Sequence, residues 1–138
     1  MVDTLTAEER SARMALVKSR DTKPEMIVRR IVHRLGFRYR LHVRALPGAP
    51  DLVFPRLRKV IFVHGCFWHR HSGCALCRLP KSRLEFWRPK LEGNRLRDAR
   101  QRRKLRMMGW RSLVVWECRV AGIAILEKKL KRFLCAPH

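Results

Sequence analysis

The sequence contains few acidic residues for its size. Eleven Asp and Glu stand against thirty-three Lys and Arg among 138 residues, which gives a formal net charge of +22. Because such an excess of positive charge repels itself in a folded chain, a polyanion is the partner that best neutralises it. The imbalance therefore predicts a nucleic-acid-binding protein in preference to a basic protein without a specific partner.

Long hydrophobic runs and an export signal are also absent from the sequence. No apolar stretch approaches the roughly 20 residues of a membrane-spanning helix. The amino-terminal segment is polar and partly acidic, unlike a signal peptide. We therefore expect a soluble cytoplasmic protein that makes no contact with a membrane.

The chain has no internal repeat and no long linker, so its 138 residues are expected to form one domain. Residues 1–20 are predicted to be an N-terminal helix or a basic arm. Residues 21–138 form the main domain in this prediction, and a metal-binding loop at residues 64–80 lies within it.

Hydrophobic periodicity predicts alternating helices and strands. Thr22 and Glu25 have the spacing of a capping box, which predicts a helix that ends at Gly36. Alternating apolar residues then predict a half-buried strand over residues 37–44. The remaining predicted elements are strands at residues 52–54, 60–63 and 113–116, a basic helix at residues 88–108 with a break near Gly93, and a closing helix at residues 123–134. This order indicates an α/β fold with a central mixed sheet flanked by helices.

Histidine and cysteine concentrate in the segment that follows the predicted strand at residues 60–63. In order along the chain they are His64, Cys66, His69, His71, Cys74 and Cys77, with Cys118 far downstream. An odd number of cysteines beside histidines favours metal ligation in a reducing compartment over a disulfide framework. A structural zinc ion takes four such ligands, and Cys66, His71 and Cys74 have workable spacing. The fourth ligand could be Cys77 or Cys118.

Asp51 is informative because acids are rare in this chain. It follows a turn-rich segment and begins the predicted strand at residues 52–54, while the next strand ends at Val63 and His64. Two adjacent strand ends can place a carboxylate and a backbone carbonyl around a hard cation such as Mg2+. Phosphodiester hydrolysis needs such an ion to activate water and to offset charge on the phosphate. The Pro–Asp pair alone is more often a turn.

Positive charge is densest between residues 95 and 106, where it covers most sides of the predicted basic helix. A run of charge is usually a solvated face. Because acids do not compensate this one, phosphate contact is the better account. Such contacts position a protein on nucleic acid and carry little sequence information.

Several motifs together resemble the very-short-patch repair (Vsr) endonucleases. The most specific is HGCFWH at residues 64–69, and the segments at residues 20–25, 46–54, 85–87 and 109–118 follow in the family's order. The resemblance implies a single-domain, three-layer restriction-endonuclease-like fold with a structural zinc site. In this divergent branch of the PD-(D/E)xK nucleases, residues 62–64 occupy the place of the usual acid-x-lysine motif.

The resemblance also implies roles for individual residues. Asp51 and the backbone carbonyl of Val63 would bind catalytic Mg2+, and His69 would act as general base or orient the attacking water. Residues that support hydrogen bonding around water, metal and phosphate would be Glu25, His64 and Asp98. The zinc ligands would be Cys66, His71, Cys74 and Cys118, which leaves Cys77 unassigned.

Three aromatic residues would wedge into the base stack beside a T:G mispair in this family, namely Phe67, Trp68 and Trp87. Unstacking a base step costs a few kcal/mol, and least where the pair is already mismatched. Because unstacking costs less at a mismatched pair, wedge insertion would favour mismatches without reading the bases. The other interpretation is that Phe67 and Trp68 pack beneath the zinc loop. Trp110 and Trp116 are expected in the core.

The implied reaction is a Mg2+-dependent, strand-specific cut on the 5′ side of the mismatched thymine in a T:G pair. It would start very short patch repair of deaminated 5-methylcytosine at a bacterial nucleoid. The expected enzyme is a monomer acting on double-stranded DNA, with a functional link to a cytosine-5 DNA methyltransferase and mismatch-repair proteins. Two other hypotheses are a nickase or endonuclease of the same fold with other specificity, and a non-catalytic zinc nucleic-acid-binding module.

Overall fold

The structure is a computed structural model that describes residues 21–75 and 82–137. The predicted N-terminal helix or arm and Cys77 lie outside the described residues. In chain order the elements are α1 (Lys23–Arg34), β1 (Arg40–Leu41), β2 (Leu52–Phe54), β3 (Lys59–His64), α2 (Leu84–Met107), β4 (Arg111–Trp116), a 3-10 turn (Glu117–Arg119) and α3 (Ile123–Cys135). Within the described ranges, no helix combines the length and the apolar character needed to cross a membrane.

Four strands form one mixed sheet in the order β1–β2–β3–β4. The pairs β1–β2 and β2–β3 are antiparallel, whereas β3 and β4 are parallel. The parallel register runs from Lys59 opposite Arg111 to His64 opposite Trp116. Since β3 and β4 are parallel, the carboxyl ends of these two strands meet at the same edge of the sheet. The predicted mixed sheet flanked by helices is confirmed.

The two faces of the sheet pack against different helices because successive side chains of a strand point to opposite sides. Leu52 and Ile61 face a core that contains the apolar sides of α1 and α3. Val53 and Val60 face the other way and contact Leu105 of α2. The chain therefore has three layers, with α1 and α3 on one face of the sheet and α2 on the other.

Helix α1 begins and ends as its sequence predicts. The Thr22 hydroxyl accepts a hydrogen bond from the Glu25 backbone N–H at 3.3 Å, and Pro24 occupies the first turn. Gly36 follows the helix with a φ of +95°, a conformation that favours glycine. This cap places Glu25 at the buried start of the helix, near Asp51 at the start of β2.

The predicted strand at residues 37–44 is wrong in extent, because only Arg40–Leu41 pair with β2. His42 has a φ of +50°, which turns the chain out of the extended conformation. Phe37 and Tyr39 still pack edge-on against Phe54, with ring centroids 6.5 and 6.2 Å away. The alternating apolar residues therefore pack against the core, and they do not form a continuous strand.

The predicted basic helix starts earlier than expected and has no break at Gly93. Helix α2 runs without interruption from Leu84 to Met107. An isolated glycine costs a helix only about 1 kcal/mol relative to alanine, and the buried residues Trp87, Leu91 and Leu105 hold the helix against the protein. Packing therefore outweighs the local preference.

Candidate active site and metal centre

A groove with a volume of about 830 Å3 lies between α2 and the segment that joins β1 to β2. Five of the predicted site residues line it together: Asp51, Val63, His64, His69 and Asp98. They come from the start of β2, the end of β3, the following loop and the middle of α2. These residues meet because β3 and β4 are parallel. The loop after β3 therefore has to pass over the carboxyl-terminal edge of the sheet before α2 begins.

The Asp51 carboxylate lies against the end of β3. Its Oδ2 atom accepts a hydrogen bond from the Val63 N–H at 2.7 Å. The N–H and the C=O of one strand residue point to the same side, so the Val63 carbonyl faces the side of the strand where Asp51 lies. Burial raises the pKa of Asp51 to about 7, and nearby Glu25 also raises it, while the Val63 N–H lowers it. Two oxygen ligands of the kind that Mg2+ prefers therefore lie side by side.

His42 bridges this carboxylate to a second one, a role that its sequence context did not indicate. Its Nε2 atom is 3.1 Å from Glu25 Oε2, and its Nδ1 atom is 3.7 Å from Asp51 Oδ1. Glu25 is 1% exposed and also pairs with Arg29. The two-residue alternation placed His42 on the polar face of a strand. Its left-handed backbone turns it instead toward the groove, and no local signal in the sequence marks that turn.

His64 and His69 stack in parallel, with ring centroids 3.9 Å apart and planes at 7°. Burial, together with the neighbouring His69, lowers the pKa of His64 to about 3, so its ring is neutral. His69 is less buried, and its Nδ1 atom is 2.5 Å from Asp98 Oδ2. Since Asp98 engages one ring nitrogen, the Nε2 atom of His69 is left for a ligand in the groove.

The four predicted zinc ligands lie together beside this groove. The donor atoms of Cys66, His71, Cys74 and Cys118 are within 4.8 Å of one another. The His71 Nδ1 atom is 3.5 Å from Cys66 Sγ and 3.4 Å from Cys118 Sγ. Tetrahedral zinc with ordinary bond lengths puts sulfur and nitrogen ligands about 3.5 Å apart. The cluster therefore fits a zinc ion, although the identity of its metal stays a prediction.

Residues around the cluster hold its ligands to the sheet. Cys118 lies in the 3-10 turn directly after β4. The neighbouring Glu117 Oε1 atom accepts a hydrogen bond from the Cys66 N–H at 2.9 Å. The His71 ring stacks on Trp116, with centroids 4.3 Å apart. Burial raises the pKa of the Cys66 thiol to about 12. This thiol would therefore lose its proton near neutral pH only when a metal cation binds the sulfur.

The aromatic residues near the groove form one cluster. Phe67 and Trp68 are half-buried, and each lies within 6 Å of Trp87, with centroid distances of 5.6 and 5.9 Å. Trp87 is 8% exposed and supports the other two rings from below. The sequence analysis gave no role to Phe86, which is 42% exposed beside this cluster. Insertion of Phe67, Trp68 and Trp87 into DNA stays a prediction.

Comparison with known proteins identifies the family. The family model described as DNA mismatch endonuclease Vsr matches residues 2–76. A type II nicking enzyme of Xanthomonas oryzae, V.XorIIP, is 50% identical over 97% of this chain and 98% of its own length. The DNA mismatch endonuclease Vsr of Escherichia coli K12 is 38% identical over 98% of this chain and 89% of its own length.

A solved structure supports the fold independently. The catalytic domain of the homing endonuclease I-Bth0305I superposes with a TM-score of 0.55 at 16% identity, covering 82% of this chain and 94% of that domain. The match shows a shared nuclease-type fold and no more. The family model and the two relatives show the family: this chain belongs to the Vsr family of DNA mismatch endonucleases.

Proposed function

We propose that the protein is a Mg2+-dependent endonuclease that nicks one strand of duplex DNA on the 5′ side of the mismatched thymine in a T:G pair. The observation that carries the proposal is the position of the Asp51 carboxylate, 2.7 Å from the Val63 N–H at the floor of a basic groove. The named activities of the relatives support it, because both are DNA-nicking or DNA mismatch enzymes.

The groove holds the residues that hydrolysis of a phosphodiester requires. Asp51 and the Val63 carbonyl would bind Mg2+. The bound ion would offset charge on the phosphate and lower the pKa of water. On the side of α2, Asp98 holds His69, whose Nε2 atom would accept a proton from the attacking water. His64 is buried and neutral beneath the His69 ring, so it supports the ring without competing for that proton.

Positive charge around the groove would hold the DNA backbone. Arg44 lines it from the β1–β2 segment, and Arg97, Arg102 and Lys104 line it from α2. These side chains line the same groove as Asp51, beside which the scissile phosphate would lie. Phosphate contacts of this kind fix the position of a duplex and do not read its bases.

Mismatch recognition would come from the loop between β3 and α2. We propose that Cys66, His71, Cys74 and Cys118 bind structural zinc and so pin this loop to the sheet. Because Phe67, Trp68 and His69 belong to the same loop, zinc would hold the wedge and the general base in one rigid unit. A wedge that unstacks a base step costs least at a mismatched pair, which gives a physical basis for T:G preference.

A second candidate is a nicking enzyme of the same fold with another specificity. The 50%-identical relative is named a type II nicking enzyme and not a mismatch endonuclease, which favours this possibility. The non-catalytic zinc module of the sequence analysis has less support, because the described groove combines two oxygen ligands with an oriented histidine. We further propose a monomer that acts in the cytoplasm, since a nick needs one active site, and a functional link to a cytosine-5 DNA methyltransferase.

The deciding experiment is strand-mapped cleavage of a T:G duplex and of its T:A counterpart in Mg2+. The native protein should nick only the thymine strand of the T:G duplex. Asp51→Ala should lose cleavage while retaining DNA binding, and Glu127→Ala, which removes a carboxylate exposed on α3, should cleave normally. Equal cleavage of both duplexes would refute mismatch recognition, and cleavage by Asp51→Ala would refute the active-site assignment.

A further inference from the structure

A second basic depression lies on the flank of α2 opposite the groove. Its volume is about 480 Å3, and its main lining residues are Arg102, Arg103, Arg106, Trp110, Arg111 and Ser112. At 100° per residue, positions 103 and 106 lie on the other side of the helix from positions 97, 101 and 104, which line the groove. Leu105, which is fully buried, faces the sheet between the two flanks. Helix α2 therefore forms a ridge with a basic surface on each side.

The chemistry of the depression suits a phosphate group. It is lined by four arginines and by no carboxylate, and among the described residues none of the four forms an ion pair with an acid. Arg111 lines the base of the depression, but its guanidinium donates to the Pro137 carbonyl at 2.7 Å beyond the end of α3, so the arginines of α2 supply the guanidinium groups for a phosphate. A further guanidinium, that of Arg58, lies 4.6 Å from the centre of the Trp110 ring. Planar guanidinium forks match phosphate oxygens in a bidentate manner that lysine cannot reproduce.

The same duplex that occupies the groove can reach this depression. Arg102 lines both surfaces, so the two are neighbours on α2. A helix with its side chains is about 10–12 Å across, and the major groove of B-DNA is about 12 Å wide. A ridge of this width therefore fits within the span of one duplex, with phosphates on both flanks. This proximity favours DNA over an acidic protein segment as the occupant.

We propose that the depression formed by Arg102, Arg103, Arg106 and Arg111 binds a backbone phosphate of the substrate duplex outside the active groove. The proposal rests on the proposed nuclease function and adds a second anchoring point to it. The contact positions the DNA and is independent of base sequence.

The test compares DNA binding by Arg103→Gln/Arg106→Gln with that of a matched control, Arg30→Gln/Arg132→Gln. Both variants lose two exposed positive charges, but the control charges lie on α1 and α3, on the other face of the sheet. Affinity for T:G duplexes is measured without divalent metal across a range of salt concentrations. The duplexes are shortened one base pair at a time on each side of the mismatch. Thermal melting verifies that both variants fold.

The α2 variant should bind a long duplex on the order of tenfold more weakly than the control. Its slope of log affinity against log salt should be lower by about 0.9 for one lost phosphate contact. On one side of the mismatch, the difference should vanish once the duplex is too short to reach the depression. Equal affinities and slopes for the two variants on long duplexes would overturn the inference. Failure of the native protein to nick any duplex would instead overturn the proposed function.

Discussion

Replacement of Asp51 by Asn tests how the buried carboxylate changes the stability of the folded protein. The side chain is 15% exposed, and burial raises its pKa from 3.8 to about 7. The folded chain therefore binds the proton more tightly than the unfolded chain does. The contribution of Asp51 to the free energy of unfolding should be greatest below about pH 4, should fall as the pH rises toward 7, and should level off above it.

The magnitude follows from the size of the pKa difference. One pKa unit corresponds to 1.36 kcal/mol, so a difference of about 3 units predicts a loss of up to about 4 kcal/mol in Mg2+-free buffer. Asp51→Asn stays neutral and keeps an oxygen that can accept the Val63 N–H. It should therefore be more stable than the native protein at pH 8 and equally stable near pH 4. Added Mg2+ should stabilise the native protein in proportion to its occupancy and leave the variant unchanged.

Urea unfolding followed by tryptophan fluorescence measures these differences at several pH values. Glu127→Gln is the matched control, because its carboxylate is 38% exposed on α3 and pairs with Arg34. The control should follow the native pH dependence. If Asp51→Asn gains no stability at pH 8, or if Mg2+ stabilises it as much as the native chain, the carboxylate is not the desolvated metal ligand described above.

Two further substitutions test the predicted zinc ligand Cys118 and the buried Lys59 at the start of β3. Cys118→Ser should abolish stoichiometric zinc binding, measured by elemental analysis, and should lower the free energy of unfolding by several kcal/mol because metal binding and folding are coupled. The control Cys135→Ser, which changes an exposed cysteine, should alter neither quantity. Zinc retained in Cys118→Ser would refute the ligand set. Lys59 is 1% exposed and donates from Nζ to the carbonyls of Phe133 and Ala136, both at 2.6 Å, at the end of α3. Lys59→Met should therefore lower the free energy of unfolding by roughly 2–3 kcal/mol in urea, and a loss no larger than that of a surface lysine variant would contradict this capping role.

Local sequence rules accounted for the elements whose conformation depends on neighbouring residues alone. The capping residues of α1 and the continuous apolar run of β3 were confirmed because caps and burial patterns act over a few residues. The rules failed where contacts distant in sequence decided the outcome. Gly93 stays within a continuous α2 because packing holds that helix, and the apolar alternation before His42 reflects contacts with Phe54 across the sheet.

The candidate site likewise combines residues that the sequence pointed to with contacts that only the fold creates. The sequence marked Asp51 as an unusual acid, and the family resemblance implied a role for His69 as general base or in orienting water, but neither gave a sign that His42 lies between Asp51 and Glu25. That bridge exists because a left-handed residue turns the chain at the end of β1 and brings its ring above the start of α1.

The amino-acid sequence by itself determined the charge that calls for a polyanion, the order of helices and strands, and the ligand types that suit zinc and Mg2+. Only the tertiary structure decided which of these residues meet. It joined Cys118 to a loop some fifty residues earlier, set Asp98 against His69, and divided the basic helix between two separate basic surfaces. The physical reason is that ligand chemistry resides in individual side chains, whereas distances between them depend on how β3, α2 and β4 pack around a common core.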